Sequence, residues 1–173
     1  MPIELSTDLP QPLVPLAWLI GRWEGAGVVG YPTIEEANFG QEVEFSHDGR
    51  PFLSYTSRTW LLDAEGAKVR PLATETGFWR VPGQPGAAEG GGTEVEFLLA
   101  HPTGFVEIYV GTVNGPRIDL ITDLVARTAT AKEYTSAKRM YGLVESDLLW
   151  VLDMAAMGQP LQSHASARLK RTS

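Results

Sequence analysis

Apolar and polar residues alternate with a period of two in short runs along most of this chain, and a helical period is nearly absent. The runs fall at 22–30, 39–47, 51–62, 69–81, 93–101, 105–113, 117–125, 133–142, 147–157 and 161–171. Turn chemistry separates them, as in His47-Asp48-Gly49-Arg50, His101-Pro102-Thr103-Gly104, Asn114-Gly115-Pro116 and Gly158-Gln159-Pro160. The pattern predicts an all-β fold, an antiparallel meander of about ten strands. Open sheet edges invite aggregation, so these strands must close, and meander order favours a barrel over a sandwich. Two stretches break the alternation. Residues 1–20 are Pro-rich and then apolar, which predicts an arm ending in a short helical turn, Leu16-Ala17-Trp18-Leu19-Ile20, that plugs a barrel domain over 21–173. Residues 82–92 are Gly-rich and predict a flexible surface loop with no side chains suited to chemistry.

Alternation also assigns faces. Leu148, Trp150, Leu152 and Met154 oppose a set containing Asp147 and Asp153, so the first set faces inward. By the same parity Val95, Phe97 and Leu99 face in, with His101 in phase, and so do Val43 and Phe45. A barrel of this size is wider than its own side chains can fill and encloses a cavity. A lining of Phe, Leu, Met and Trp with one or two imidazoles suits a large, flat, mostly apolar ligand held by a few polar contacts.

Composition narrows the chemistry. The 173 residues fit one domain with a real core. Acidic residues outnumber basic ones 21 to 14, a net −7 that repels phosphates and argues against nucleic acid as a partner. The absence of Cys excludes disulfides, thiolate nucleophiles and sulfur-ligated metals. The start of the chain lacks the basic and apolar regions of a signal peptide, and no apolar run approaches the ~20 residues of a membrane span. The expectation is a soluble cytoplasmic domain with no membrane partner; homodimerisation is left open.

Three histidines are present and can be weighed singly. His47 adjoins a hairpin turn and is expected in solvent. His101, at a strand end before Pro102, suits either the mouth of a pocket or a satisfied structural role. His164 is the one soft metal ligand in its strand, and a hydrogen-bonded strand histidine is the plain alternative. Parity sets His164 with Ser166, Arg168 and Lys170, against Ala165, Ala167 and Leu169. An inward-facing His164 therefore requires a bulge near 162–164 or a strand that begins late. Other chemistries are poorly represented: GxSxG, a phosphate loop and HExxH are all absent. Glu35, Glu36, Glu42 and Glu44 read as a solvated face, and Lys132 and Lys138 as surface lysines or rim partners for an anionic group.

One ordered set of motifs goes further. Gly21-Arg22-Trp23-Glu24-Gly25-Ala26-Gly27 spells GxWxGxG, placing Gly21, Trp23, Gly25 and Gly27 at a barrel seam. Tyr31-Pro32-Thr33-Ile34, Pro51-Phe52-Leu53-Ser54-Tyr55, Glu75-Thr76-Gly77-Phe78-Trp79-Arg80, Leu99-Ala100-His101-Pro102-Thr103-Gly104 and Gly158-Gln159-Pro160-Leu161-Gln162-Ser163-His164 follow in order. With these the chain resembles the nitrobindin family of haem-binding β-barrels, also described as peroxynitrite isomerases, from about Leu16 to Arg171. The resemblance implies a ten-stranded barrel with one b-type haem near an open end, its ferric iron held axially by His164. It further implies that Thr33 and Lys132 contact the haem and that Met154, Leu72 and His101 line the pocket. Some relatives carry His where this chain has Ala73, which leaves fewer polar groups here.

The function so implied is isomerisation of peroxynitrite to nitrate, with His164 as the catalytic centre's ligand and reversible nitric oxide binding. Haem, peroxynitrite, nitric oxide and nitrate are the expected partners. No strong general acid or base is evident, which suits a reaction without net proton transfer. A non-catalytic haem or nitric oxide carrier would use the same site. A lipocalin-like carrier of a small apolar ligand would leave His164 structural.

Overall fold

The computed structural model describes residues 8–173. Ten strands form a closed barrel in which each strand pairs with its sequence neighbours and β1 closes onto β10. They are β1 (Gly21–Tyr31), β2 (Ile34–Ser46), β3 (Phe52–Leu62), β4 (Lys68–Arg80), β5 (Thr93–His101), β6 (Phe105–Asn114), β7 (Arg117–Arg127), β8 (Tyr134–Val144), β9 (Asp147–Ala156) and β10 (Gln162–Arg171). Every pairing is antiparallel. β2 begins at Ile34, well before the alternating run at 39–47, because its first residues Ile34, Glu35 and Glu36 stand exposed at a rim and carry no inside–outside pattern. No helix among the described residues is long and apolar enough to cross a membrane.

One end is shut. A 3₁₀ segment, Gln11–Leu19, buries Leu13, Leu16 and Leu19 completely beneath the strands. Pro12 and Pro15 each remove a backbone donor, which suits a short 3₁₀ run better than an α-helix. The plug is longer than the sequence predicted; residues 1–7 of the expected arm lie outside the described residues. Trp23 is fully buried and donates its indole N–H to the Leu19 carbonyl at 2.8 Å. Arg171 lies 4.1 Å over the Trp23 ring and donates to the carbonyls of Trp18 and Ile20, fastening β10 to the plug. Above it Trp79 stacks on Phe97 with centroids 4.1 Å apart, and Phe45 and Tyr55 pack alongside.

The seam motif has a steric cause. A Cβ on Gly25 or Gly27 would run into the carbonyl oxygens of Arg168 or Ser166 on β10, so only glycine lets these strands meet. The 82–92 connection between β4 and β5 lies at the shut end. It contains a 3₁₀ turn at Glu89–Gly91, with Ala88 N–H donating to the Gly92 carbonyl at 2.8 Å.

Candidate functional site

The opposite end is open and holds a cavity of about 390 Å³. Its upper wall is largely apolar, built by Phe105, Leu152 and Met154, with Leu72 and Ala73 at the exposed edge of β4. Its floor is polar, with Gln41, Ser57, Glu75, Glu107 and Arg139 projecting from inward positions.

His164 reaches this cavity through an irregularity. In the β9–β10 ladder Ser163 pairs with Asp153 and Ala165 with Leu152, so His164 is the extra residue of a bulge. Strict alternation would have turned the ring outward; the bulge lets both His164 and Ala165 border the cavity. A second irregularity lies in the β1–β2 ladder between Val29 and Tyr31, where Gly30 of the facing strand stands opposite two residues of β2, Glu35 and Glu36. The two irregularities meet: His164 Nδ1 lies 3.0 Å from the Gly30 carbonyl oxygen. A carbonyl only accepts, so this bond fixes the ring proton on Nδ1 and leaves the Nε2 lone pair without a partner among the described residues. Tyr31 packs edge-on against the ring at 5.6 Å, and its hydroxyl ties across to β9 by donating to the Met154 carbonyl at 2.8 Å. Burial pushes the His164 pKa below its ordinary value; the Gly30 bond opposes this and the Arg139 charge adds to it. The ring is held neutral, as a metal ligand must be.

A buried ionic network lies beneath. Arg139 donates to Glu75 at 2.5 Å and 3.3 Å and to the Tyr141 and Tyr109 hydroxyls. Glu107 is 1% exposed and takes three partners: the Tyr109 hydroxyl at 2.7 Å, the Tyr134 hydroxyl at 2.6 Å and His101 Nε2 at 2.7 Å. Burial raises both carboxyls, but for Glu75 the Arg139 charge, and for Glu107 the His101 bond with the Arg139 charge, overcome it, so both pKa values end lowered. Both carboxylates are therefore ionised in the fold, at the floor of the cavity, where the sequence indicated no acid or base.

His101 borders the cavity, as its parity predicted, but is committed on both sides. Its Nε2 meets Glu107, its Nδ1 is 3.8 Å from Glu75, and its ring stacks on Phe105 at 4.0 Å. Met154 and Leu72 border the cavity as well. Thr33 and Lys132 do not: Thr33 is exposed in the turn between β1 and β2, and Lys132 is exposed in the connection from β7 to β8, at the same open rim. His47 lies at the shut end, half-buried and not fully in solvent, with Nδ1 accepting from Gly49 N–H at 3.2 Å. Sequence reading passed over Glu107, Arg139 and Tyr134, although Glu107 is in phase with Tyr109, and Arg139 with Ala137 and Tyr141.

One neutral imidazole faces an apolar wall, and no group of three or more His, Cys, Asp or Glu among the described residues could hold a bare metal ion. Such a site fits a metal that arrives within a flat organic ligand supplying most of its donors, as haem does. The fold and site thus define a cofactor-binding β-barrel closed at one pole and open at the other.

Comparison with known proteins names the class further. Residues 12–171 match the family model of the THAP4-like, heme-binding beta-barrel domain, and the chain belongs to that family. It is 60% identical to a protein of Kineococcus radiotolerans named "Ferric nitrobindin-like protein", over 100% of both chains. It is 49% identical to a "Peroxynitrite isomerase" of Leifsonia xyli, covering 98% of each, and 52% identical to one of a Nocardioides species, covering 99% of each. The crystal structure of Rv2717c from M. tuberculosis superposes with a TM-score of 0.82 at 41% identity, covering 96% of this chain and 100% of that one. Haem is the cofactor that membership of this family carries.

Proposed function

We propose that this chain is a ferric haem protein that isomerises peroxynitrite to nitrate and reversibly binds nitric oxide, with His164 as the axial ligand. The observation that carries the reading is the His164 ring at the border of the cavity, with its proton fixed on Nδ1 by Gly30 and its Nε2 left for a ligand. Relatives at about half identity named peroxynitrite isomerase support the reaction. One b-type haem per chain matches the single free imidazole of the cavity. Met154 and Leu72, which border the cavity, would help to hold the haem, and Thr33 and Lys132 at the open rim would contact it.

The chain's residues divide the work. Gly30 and Tyr31 hold the His164 ring in one orientation, so binding iron costs little rotamer freedom. The wall of Phe105, Leu152 and Met154 excludes water and keeps reacting fragments together. His101, held between Glu75 and Glu107, keeps the cavity floor ordered without reaching for the iron. When bound, ferric haem supplies the Lewis acid that favours O–O cleavage and recombination to nitrate. Rearrangement needs no net proton transfer, so no residue is required as general acid or base. The compartment consistent with this role is the cytoplasm.

Stopped-flow decay of peroxynitrite with nitrate yield, measured on haem-loaded protein against free haem, tests the reading. Faster decay that is lost in His164→Ala is the expected result. Decay no faster than with free haem would make the protein a haem or nitric oxide carrier. Absence of a Soret band after haem addition would leave a lipocalin-like carrier with a structural His164.

A further inference from the structure

Glu107 is buried beside the cavity and holds two phenols on one oxygen, an arrangement the proposed reaction does not use. All five tyrosines of the chain are buried, and Tyr134 alone among them borders the cavity. Its ring stacks on Phe105 at 4.6 Å, and its hydroxyl donates to Glu107 Oε2 at 2.6 Å. The other oxygen of Glu107 is bonded to His101, and no second protein group accepts from the Tyr134 hydroxyl.

The geometry points to Tyr134 as a redox-active residue that disarms a one-electron oxidant in the cavity, nitrogen dioxide, by reducing it to nitrite. The inference rests on the reading that this cavity handles nitrogen-oxide oxidants. The phenol O–H bond breaks, its electron passes to nitrogen dioxide, and its proton moves along the existing hydrogen bond to Glu107. Tyr134 becomes a neutral phenoxyl radical, Glu107 a carboxylic acid and nitrogen dioxide a nitrite anion, so charge and atoms balance.

Losing an electron from a phenol is costly unless the proton leaves with it, because the radical cation is a strong acid. An ionised carboxylate at 2.6 Å is a ready base. Trp150 provides the internal comparison. It also borders the cavity, but its indole N–H donates at 2.7 Å to the neutral amide oxygen of Gln41, which cannot take a proton. Oxidation is thereby directed to Tyr134. From there Tyr109 shares the same Glu107 oxygen and stacks on Phe97, with centroids 5.9 Å apart, and Phe97 stacks on Trp79. This aromatic path leads away from the cavity into the closed half.

The test uses haem-loaded protein exposed to nitrogen dioxide made by pulse radiolysis of nitrite, which bypasses peroxynitrite. Wild type is expected to show a phenoxyl absorbance and radical signal, lost in Tyr134→Phe while the haem spectrum is unchanged. Glu107→Gln should slow phenoxyl formation and leave Tyr134 in place. As a second readout, excess nitrogen dioxide should add at the ring carbon beside the hydroxyl, and mass spectrometry should find 3-nitrotyrosine at Tyr134. Nitration confined to other tyrosines, an undiminished phenoxyl signal in Tyr134→Phe, or a dominant indolyl signal would overturn the proposal. Failure to isomerise peroxynitrite would leave these outcomes readable, since the oxidant is supplied directly.

Discussion

The two halves of the barrel are made of the same ten strands and obey different rules. In the closed half the ladders run in register, and inward positions are filled by Trp23, Phe45, Trp79 and Phe97. Toward the open end the register slips repeatedly: opposite Gly30 in β2, at His164 in β10, at Val69 and Leu72 in β4, at Asp123 in β7 and at Thr135 in β8. β4 leaves β5 above Thr76, and β7 leaves β8 above Ile121. Regular pairing packs a core, while irregular pairing makes room and re-aims side chains. The lesson is a division of labour along the strands, with stability held at one pole and chemistry at the other.

That contrast can be broken by experiment, and removing the imidazole is the most severe test. His164→Ala should lower haem affinity well beyond the roughly 10–100-fold typical of losing a supporting partner, with unchanged urea unfolding of the apo-barrel. Visible titration with haem and denaturation by circular dichroism measure the two halves separately. Trp79→Ala is the converse: a loss of about 3–5 kcal/mol of stability, read by urea unfolding, with His164 still able to bind. Equal damage to haem binding from both would end the distinction.

Arg139→Ala strikes the boundary between the halves. It leaves Glu75 buried without its cation and should cost about 3–5 kcal/mol in urea unfolding. Acid should find the same layer. Glu75 and Glu107 have lowered pKa values in the fold, so the unfolded chain binds protons first as pH falls. Their contribution is complete above the ordinary carboxylate value of 4.5 and is lost as pH falls below it through the folded values. A thermal midpoint that rises from pH 6 to pH 4 would contradict this.

The smallest effects belong to the shut end. Trimming 82–92 should change only loop-closure entropy, by about 0.6 kcal/mol per halving of length, and spare haem binding. His47→Ala should leave the Soret band unmoved, because its ring is at the far pole. His101→Ala falls between: it leaves His164 intact but removes one of the three partners of Glu107, shifting the haem spectrum and lowering stability.

Legibility followed the same division. Val43, Phe45, Val95, Phe97, Leu99, Leu148 and Trp150 are buried as their alternation predicted, because one face there meets core and the other meets water. At the open end both faces of a strand are wet, so the start of β2 at Ile34 had no pattern to betray it. The bulge at His164 was inferable only as a conflict between its parity and a role inside. Glu107 and Arg139 have inward parity, but a charge at such a position reads as an exception until its distant partners, Tyr134 for Glu107 and Glu75 for Arg139, are brought to it by the fold. Thr33 came only from the resemblance, and the local pattern at Lys132 offers no more than a surface lysine or a rim partner for an anionic group.

The shut pole also governs how the barrel can be joined to other things. The 3₁₀ segment and the last residues of the chain meet there, with Arg22 N–H donating to the Ser173 carbonyl and Thr172 N–H to the Arg22 carbonyl. At about 3.4 Å per residue, an eleven-residue strand such as β1 runs roughly 35 Å along its own length between that pole and the rim. A reporter or surface tether attached at Ser173 would hang beneath the barrel and leave the mouth facing outward. Immobilised arrays of the protein would then present their cavities uniformly to solution, with no redesign of the site.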